Sequence, residues 1–204
     1  MKLLRNALLV ILMSFFANSA HAADSTPFQL SLINPVQLFP QETSVKGLRI
    51  NLLYGVNREV DGVDLGAVNR TTGMTKGAQL GAFPFGGVNI TGDLVGLQLG
   101  GFFGGVNVAT GDVAGVQIAG IIGGVNTAAN VRGVQLSGAF LGVNVAKDVT
   151  GFQATTLYNQ ARAMEGLQLG LVNVCQRMCG VQIGLVNVIR ESSLPFFPIV
   201  NASF

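Results

Sequence analysis

Gly115-Val-Gln-Ile-Ala-Gly-Ile-Ile-Gly-Gly-Val-Asn126 is followed by Thr-Ala-Ala-Asn-Val-Arg and then by Gly133-Val-Gln-Leu-Ser-Gly-Ala-Phe-Leu-Gly-Val-Asn144, the same unit written a second time. The unit is Gly, an aliphatic, usually Gln, an aliphatic, often Gly, and a variable apolar stretch ending near Val-Asn. It starts at Gly47, Gly62, Gly77, Gly96, Gly115, Gly133, Gly151, Gly166 and Gly180, in steps of 15, 15, 19, 19, 18, 18, 15 and 14 residues. So short a period holds one strand and one turn, not a helical pair or a propeller blade. Val and Ile dominate the apolar positions, which favours strand. Each Gly would cost a helix about 1 kcal/mol relative to Ala. Val113 to Val131 is uncharged and long enough to suggest a membrane-spanning helix. Gln117 and Asn126 nonetheless keep the phase of the neighbouring copies, and four Gly interrupt the stretch. The repeat predicts an all-β fold.

Charge falls between the units, at Arg58-Glu59, Asp93, Asp112, Arg132, Lys147-Asp148, Arg162 with Glu165, Arg177 and Arg190-Glu191. Gly-Asp and Lys-Asp pairs are ordinary turn chemistry, and these charges read as solvated turns. Inside the units only Arg49 and Asp64 are charged.

Both faces of each strand are apolar. In Gly115 to Asn126 one face carries Val116, Ile118, Gly120 and Ile122, and the other Gln117, Ala119, Ile121 and Val125. A soluble single sheet would show a polar face. Two architectures accommodate this. The favoured one is a closed antiparallel β-barrel of about 10–12 strands in an outer membrane, with spans of about 9–11 residues. The alternative is a β-solenoid with one coil per 14–19-residue repeat, in which Asn107, Asn126 and Asn144 stack as a ladder. Against the solenoid stand the uneven coil length and an outer face too apolar for a soluble protein. Val116 and Val134 separate the two: far apart in a barrel, about 5 Å apart in a solenoid.

Residues 1–22 read as a secretory signal peptide. Lys2 and Arg5 precede an apolar run from Ala7, and Ala20-His21-Ala22 fits a small-x-small cleavage site. The expectation is export, with residues 23–204 as a single β-repeat domain. That remainder has no His or Trp, and its ten basic and ten acidic residues leave a formal net charge of zero. A neutral chain offers no electrostatic case for nucleic acid.

The final Pro198-Ile-Val-Asn-Ala-Ser-Phe204 resembles the last strand of bacterial outer-membrane β-barrel proteins, which commonly ends in Phe with apolar residues at alternate positions. Gly166-Leu-Gln-Leu-Gly-Leu-Val-Asn173 and Gly180-Val-Gln-Ile-Gly-Leu-Val-Asn187 resemble an uncharacterised family of bacterial surface-repeat proteins. That second resemblance covers nearly all of residues 28–204. It implies a location and a repeat class only and carries no activity with it; the barrel reading adds outer-membrane lipid as an expected partner. Gly151-Phe-Gln-Ala-Thr-Thr-Leu-Tyr-Asn159 departs most from the pattern.

Little catalytic chemistry is legible. Without His the usual base for a Ser or Cys nucleophile is missing. The carboxylates are scattered singly, the Gly-rich runs lack a phosphate-loop Lys, and two Cys do not build a zinc site. No cofactor or metal is expected. The Asn-x-Thr triplets at Asn69 and Asn89 read as repeat positions. Cys175 and Cys179, the only two Cys, are expected to form a disulfide across a turn in an oxidising compartment. The chain is therefore expected not to be an enzyme. It reads as an outer-membrane or surface protein with a structural, interaction or narrow-passage role and an unknown protein or glycan partner. The alternatives are an exported, periplasmic solenoid binding module and a small lipid-modifying barrel enzyme working with Ser, Asp or Tyr.

Overall fold

The computed structural model describes residues 24–82 and 84–204. Residues 1–22, read above as a signal peptide, lie outside the described residues. From Ser25 to Ser203 the chain forms strands joined by turns, and no helix among the described residues is long and apolar enough to cross a membrane.

The fold is a β-solenoid. Successive repeats pair parallel and in register, Gly123–Ser137 against Leu141–Thr155 along their whole length, then Tyr158–Leu169 and Val172–Ile189. Val134 pairs directly with Val116. This overturns the antiparallel barrel. Closure is also missing: the last strand, Phe196–Ser203, pairs antiparallel with Val172–Ile189 and not with the first strand, Ser25–Ile33. The terminal segment read as a barrel-closing strand instead covers the last coil. At the other end Ser25–Ile33 lies parallel on Ser44–Asn57, with the two-residue strand Val36–Gln37 folded back on it.

Each coil has two arms. One arm carries Gly-x-Gln-x and the other Val-Asn-x. The arms meet at a charged corner such as Asn130-Val131-Arg132, and at the opposite edge a loop leads on to the next coil. The corner spacing hardly varies: Asn126 to Gln135 is 9 positions, Asn159 to Gln168 is 9, and Asn107 to Gln117 is 10. The loop spacing varies much more, with 5 positions from Gln168 to Asn173, 9 from Gln135 to Asn144 and 10 from Gln79 to Asn89. Uneven repeat length is therefore absorbed at one edge, and the ladders stay in register. The divergent copy at Gly151 stacks like the rest, Gly133↔Gly151↔Gly166.

The Gly that opens each unit has a physical reason. All nine have φ between 115° and 149°. A Cβ at Gly133 would run into the carbonyl oxygen of Gly115, and the same holds from coil to coil. Only Gly allows both the backbone conformation and the approach.

Candidate functional site

The interior carries two amide columns beside a buried apolar column of Leu94, Val113, Val131, Val149, Met164 and Met178 near the corner, and the outer faces are apolar. Gln117, Gln135, Gln153, Gln168 and Gln182 are fully buried, as are Asn107, Asn126, Asn144, Asn159 and Asn173. In the Gln column each side-chain Nε2 donates to the Oε1 of the preceding coil, at 2.7 Å for Gln117 to Gln98 and 2.8 Å for Gln135 to Gln117. In the Asn column the donors point the other way, Asn107 to Asn126 and Asn126 to Asn144 at 2.9 Å each. Asn126 also donates to the Leu136 carbonyl at 2.6 Å, tying one arm to the other. A buried amide without partners would cost about 1–3 kcal/mol, so the columns are stable only because nearly every member is satisfied. The acceptors left over sit at the ends, Gln182 Oε1 in the last coil and Asn51 Oδ1 in the first. Asn69 and Asn89, the two Asn-x-Thr positions, are ladder members and fully buried.

Arg49 and Asp64 occupy the Gln position in the first two coils. They form an ion pair with both side chains at 0% exposure, Nε to Oδ1 at 2.7 Å and Nη2 to Oδ2 at 2.5 Å. Arg49 further donates to the Arg70 carbonyl and to Thr71, and Asp64 accepts from Asn51 and Gln79. Gln79 brings the partial positive end of the whole Gln column onto the carboxylate. Spacing marked these residues as the only charges inside units. What it did not reveal is that they cap a ladder.

Cys175 and Cys179 are both free, which corrects the expected disulfide. They lie in one continuous strand, Val172–Ile189, with Cys175 buried and Cys179 exposed. Their side chains point to opposite sides, which forbids the Cβ approach that a bridge needs. Burial pushes the Cys175 thiol up to about 12.

With the amides turned inward, aliphatic side chains cover the outside. Leu97, Val116, Val134, Phe152, Leu167 and Val181 form one outward column, and Leu99, Ile118, Leu136, Leu169 and Ile183 form the next. Val106, Val125, Val143 and Val172 line the other arm. The loop edge between the arms carries strongly exposed apolar residues, among them Phe85, Ile121, Phe140, Leu141 and Leu185, and the terminal segment adds Ile199 and Phe204. Charges gather at the corner edge, where Asp148 and Arg162 pair in the open and Asn130 donates to Asp112 at 2.7 Å. Among the described residues no group of three or more His, Cys, Asp or Glu could hold a metal ion. No family model matches the chain, and neither a curated protein nor a solved structure does.

Proposed function

We propose that this chain is an exported, non-catalytic β-solenoid module that acts by binding at the cell envelope through its apolar outer surface. The observation that carries this reading is the outward apolar columns running on into the exposed Ile121, Phe140, Leu141 and Leu185 of the loop edge, a contiguous apolar surface of the kind that marks an interaction site. The resemblance to surface-repeat proteins supports the same location. A narrow-passage role finds no support, because the space between the arms is filled by the Gln and Asn columns. The Asp residues at 93, 112 and 148 stand at the corner edge, away from the apolar loops, which favours binding over lipid chemistry.

Fractionation of cells producing the full chain tests the proposal. The chain is expected in the envelope fraction, and replacing Val116, Val134 and Phe152 by Thr should move folded protein into the soluble exported fraction. A wild-type chain found free in the soluble exported fraction would overturn it.

A further inference from the structure

We infer that the loop edge is the part that binds, and that its partner is the hydrocarbon of a single lipid leaflet, entered edge-on. The inference rests on the envelope-binding reading above and names its partner. Four observations carry it.

The first is shape. Strongly exposed apolar residues form a ridge along the loop edge, Phe140 at 73%, Leu141 at 69% and Leu185 at 65% exposure, and the apolar surface continues from it onto both arms. A flat partner protein covers one face. Acyl chains close around a ridge.

The second is backbone satisfaction. Lipid offers no hydrogen bonds, so any chain entering it must satisfy its own amides. The loops do so from coil to coil: Ala139 donates to Ile121, Phe140 to Ile122, Leu171 to Thr156 and Val186 to Leu171. The loop edge therefore meets the condition that hydrocarbon imposes.

The third is depth. On one arm the apolar band begins at Val134, just past Arg132. On the other it ends at Val145, just before Lys147. Counted to the loop tip at Ala139 and Phe140, each arm spans four to five residues, so at about 3.3 Å per residue the band is roughly 13–17 Å deep. A leaflet contributes about 15 Å, half of a hydrocarbon core of about 30 Å. The band fills one leaflet and falls short of two. Nine coils at about 4.8 Å make the ridge roughly 43 Å long.

The fourth is charge. The described residues carry ten basic and ten acidic side chains, since Lys2 and Arg5 lie outside them. The partner surface therefore has no required sign, and binding is apolar rather than electrostatic.

The test uses the purified exported chain and vesicles of zwitterionic phosphatidylcholine. The chain should float with them, equally well at low and high salt, and adding anionic phosphatidylglycerol should change partition by less than about threefold. Replacing Ile121, Phe140, Leu141 and Leu185 together by Ser should lower partition at least tenfold, with an unchanged melting transition because these side chains are already exposed. Replacing Lys147 and Arg162 by Ser should leave partition as it was. The chain has no Trp, so Phe140→Trp is a unique reporter. Lipids brominated in mid-chain should quench it and should not quench Lys147→Trp. Failure to float, a need for anionic lipid, or a four-Ser variant that floats as well as the parent would each overturn the inference. So would a dimer in solution that the same four replacements dissociate, since a second copy would then be the occupant. Envelope retention in cells without vesicle binding would sink the lipid partner alone. Loss of both would take the binding reading with it.

Discussion

The two edges of this solenoid are built from the same strands and obey opposite rules. At the corner edge the chain keeps a spacing of 9 or 10 residues from Asn to Gln, carries nearly all the charge and holds the stacked Gly column beside it. At the loop edge the spacing runs from 5 to 10, charge is absent and large apolar side chains point outward. The difference shows where the fold is specified. Corner geometry fixes which residues turn inward, because a slip of one position would send a Gln outward and an aliphatic in. The loop edge is free in length, at about 0.6 kcal/mol per doubling, although several of its Gly, such as Gly101 and Gly124, are packed as closely as the corner Gly.

The sharpest way to break the contrast is to place the same small substitution at both edges. Gly133→Ala puts a Cβ against the Gly115 carbonyl at φ 140°. It should cost about 4 kcal/mol or more and unfold neighbouring coils. Gly104→Ala at the loop edge meets only the Gly123 carbonyl at 3.5 Å, an ordinary contact. It should move stability by no more than about 1 kcal/mol in either direction. Urea denaturation of the two variants measures both. Equal losses would mean that the edges are not specified differently.

Between the edges lies the interior, and its least regular part is the Arg49–Asp64 pair. Asp64→Ala leaves a buried guanidinium without its carboxylate and should cost about 3–4 kcal/mol. Changing both Arg49 and Asp64 to Gln restores the repeat residue in those coils. It should recover most of that loss, since replacing a buried ion pair whole is commonly near neutral. If the double variant is as unstable as Asp64→Ala, the pair is doing more than capping a column, and the likeness of the first two coils to the rest is only in backbone.

Much of this was legible from the repeat. The strand content, the unit boundaries, the corner charges and the stacking of Asn107, Asn126 and Asn144 were all written in phase. The choice between barrel and solenoid was not, because the alternation in Val116-Gln117-Ile118 was read by polarity rather than by satisfaction. A strand that buries Gln and exposes Val looks reversed until the amide is seen to find an identical amide one coil away. Identity of successive copies was the signal that could have decided it. An antiparallel barrel places consecutive units in opposite directions and gives Gln no reason to recur at one phase. The invariant Gly opening each unit pointed the same way, since close parallel stacking demands it. The unequal repeat length argues against stacked coils only if it is spread over the whole coil, whereas the Asn-to-Gln spacing stays at 9 or 10 and the variation falls at one edge. The apolar outer surface argues against a solenoid only for a protein that stands free in water, and sequence alone does not say what covers it. Spacing does place the two cysteines at a corner, but the chain turning through Arg177-Met178-Cys179 sends Cys175 inward and Cys179 outward, which the spacing alone does not reveal.

That correction gives a chemical test. Cys179 is exposed at the corner edge, while Cys175 is buried and its thiol is raised to about 12. Without reductant, a maleimide should label one thiol per native chain, at Cys179, and a second only after unfolding. Labelling neither thiol until reductant is added would restore the disulfide and contradict the inward and outward placement of the two residues.

The smallest effect belongs to the corner charges themselves. A side-chain hydrogen bond from Arg162 holds the Asp148 carboxyl below its usual value, and Arg162 is raised in return. A carboxyl with a depressed folded value adds stability that is fully present above its unfolded value, near 3.8. That stability is lost as pH falls through the lower folded value. The exposed pair is screened by water and salt, so it contributes little even where it is intact. Asp148→Asn should therefore melt within experimental scatter of the parent at pH 7 and show a slightly shallower loss of stability below about pH 4. Loop-edge variants such as Phe140→Ser remove no titratable group and should follow the parent's acid profile. If Asp148→Asn instead unfolds at neutral pH as readily as Gly133→Ala, the corner depends on its charges, and its constant spacing has an electrostatic origin rather than a steric one.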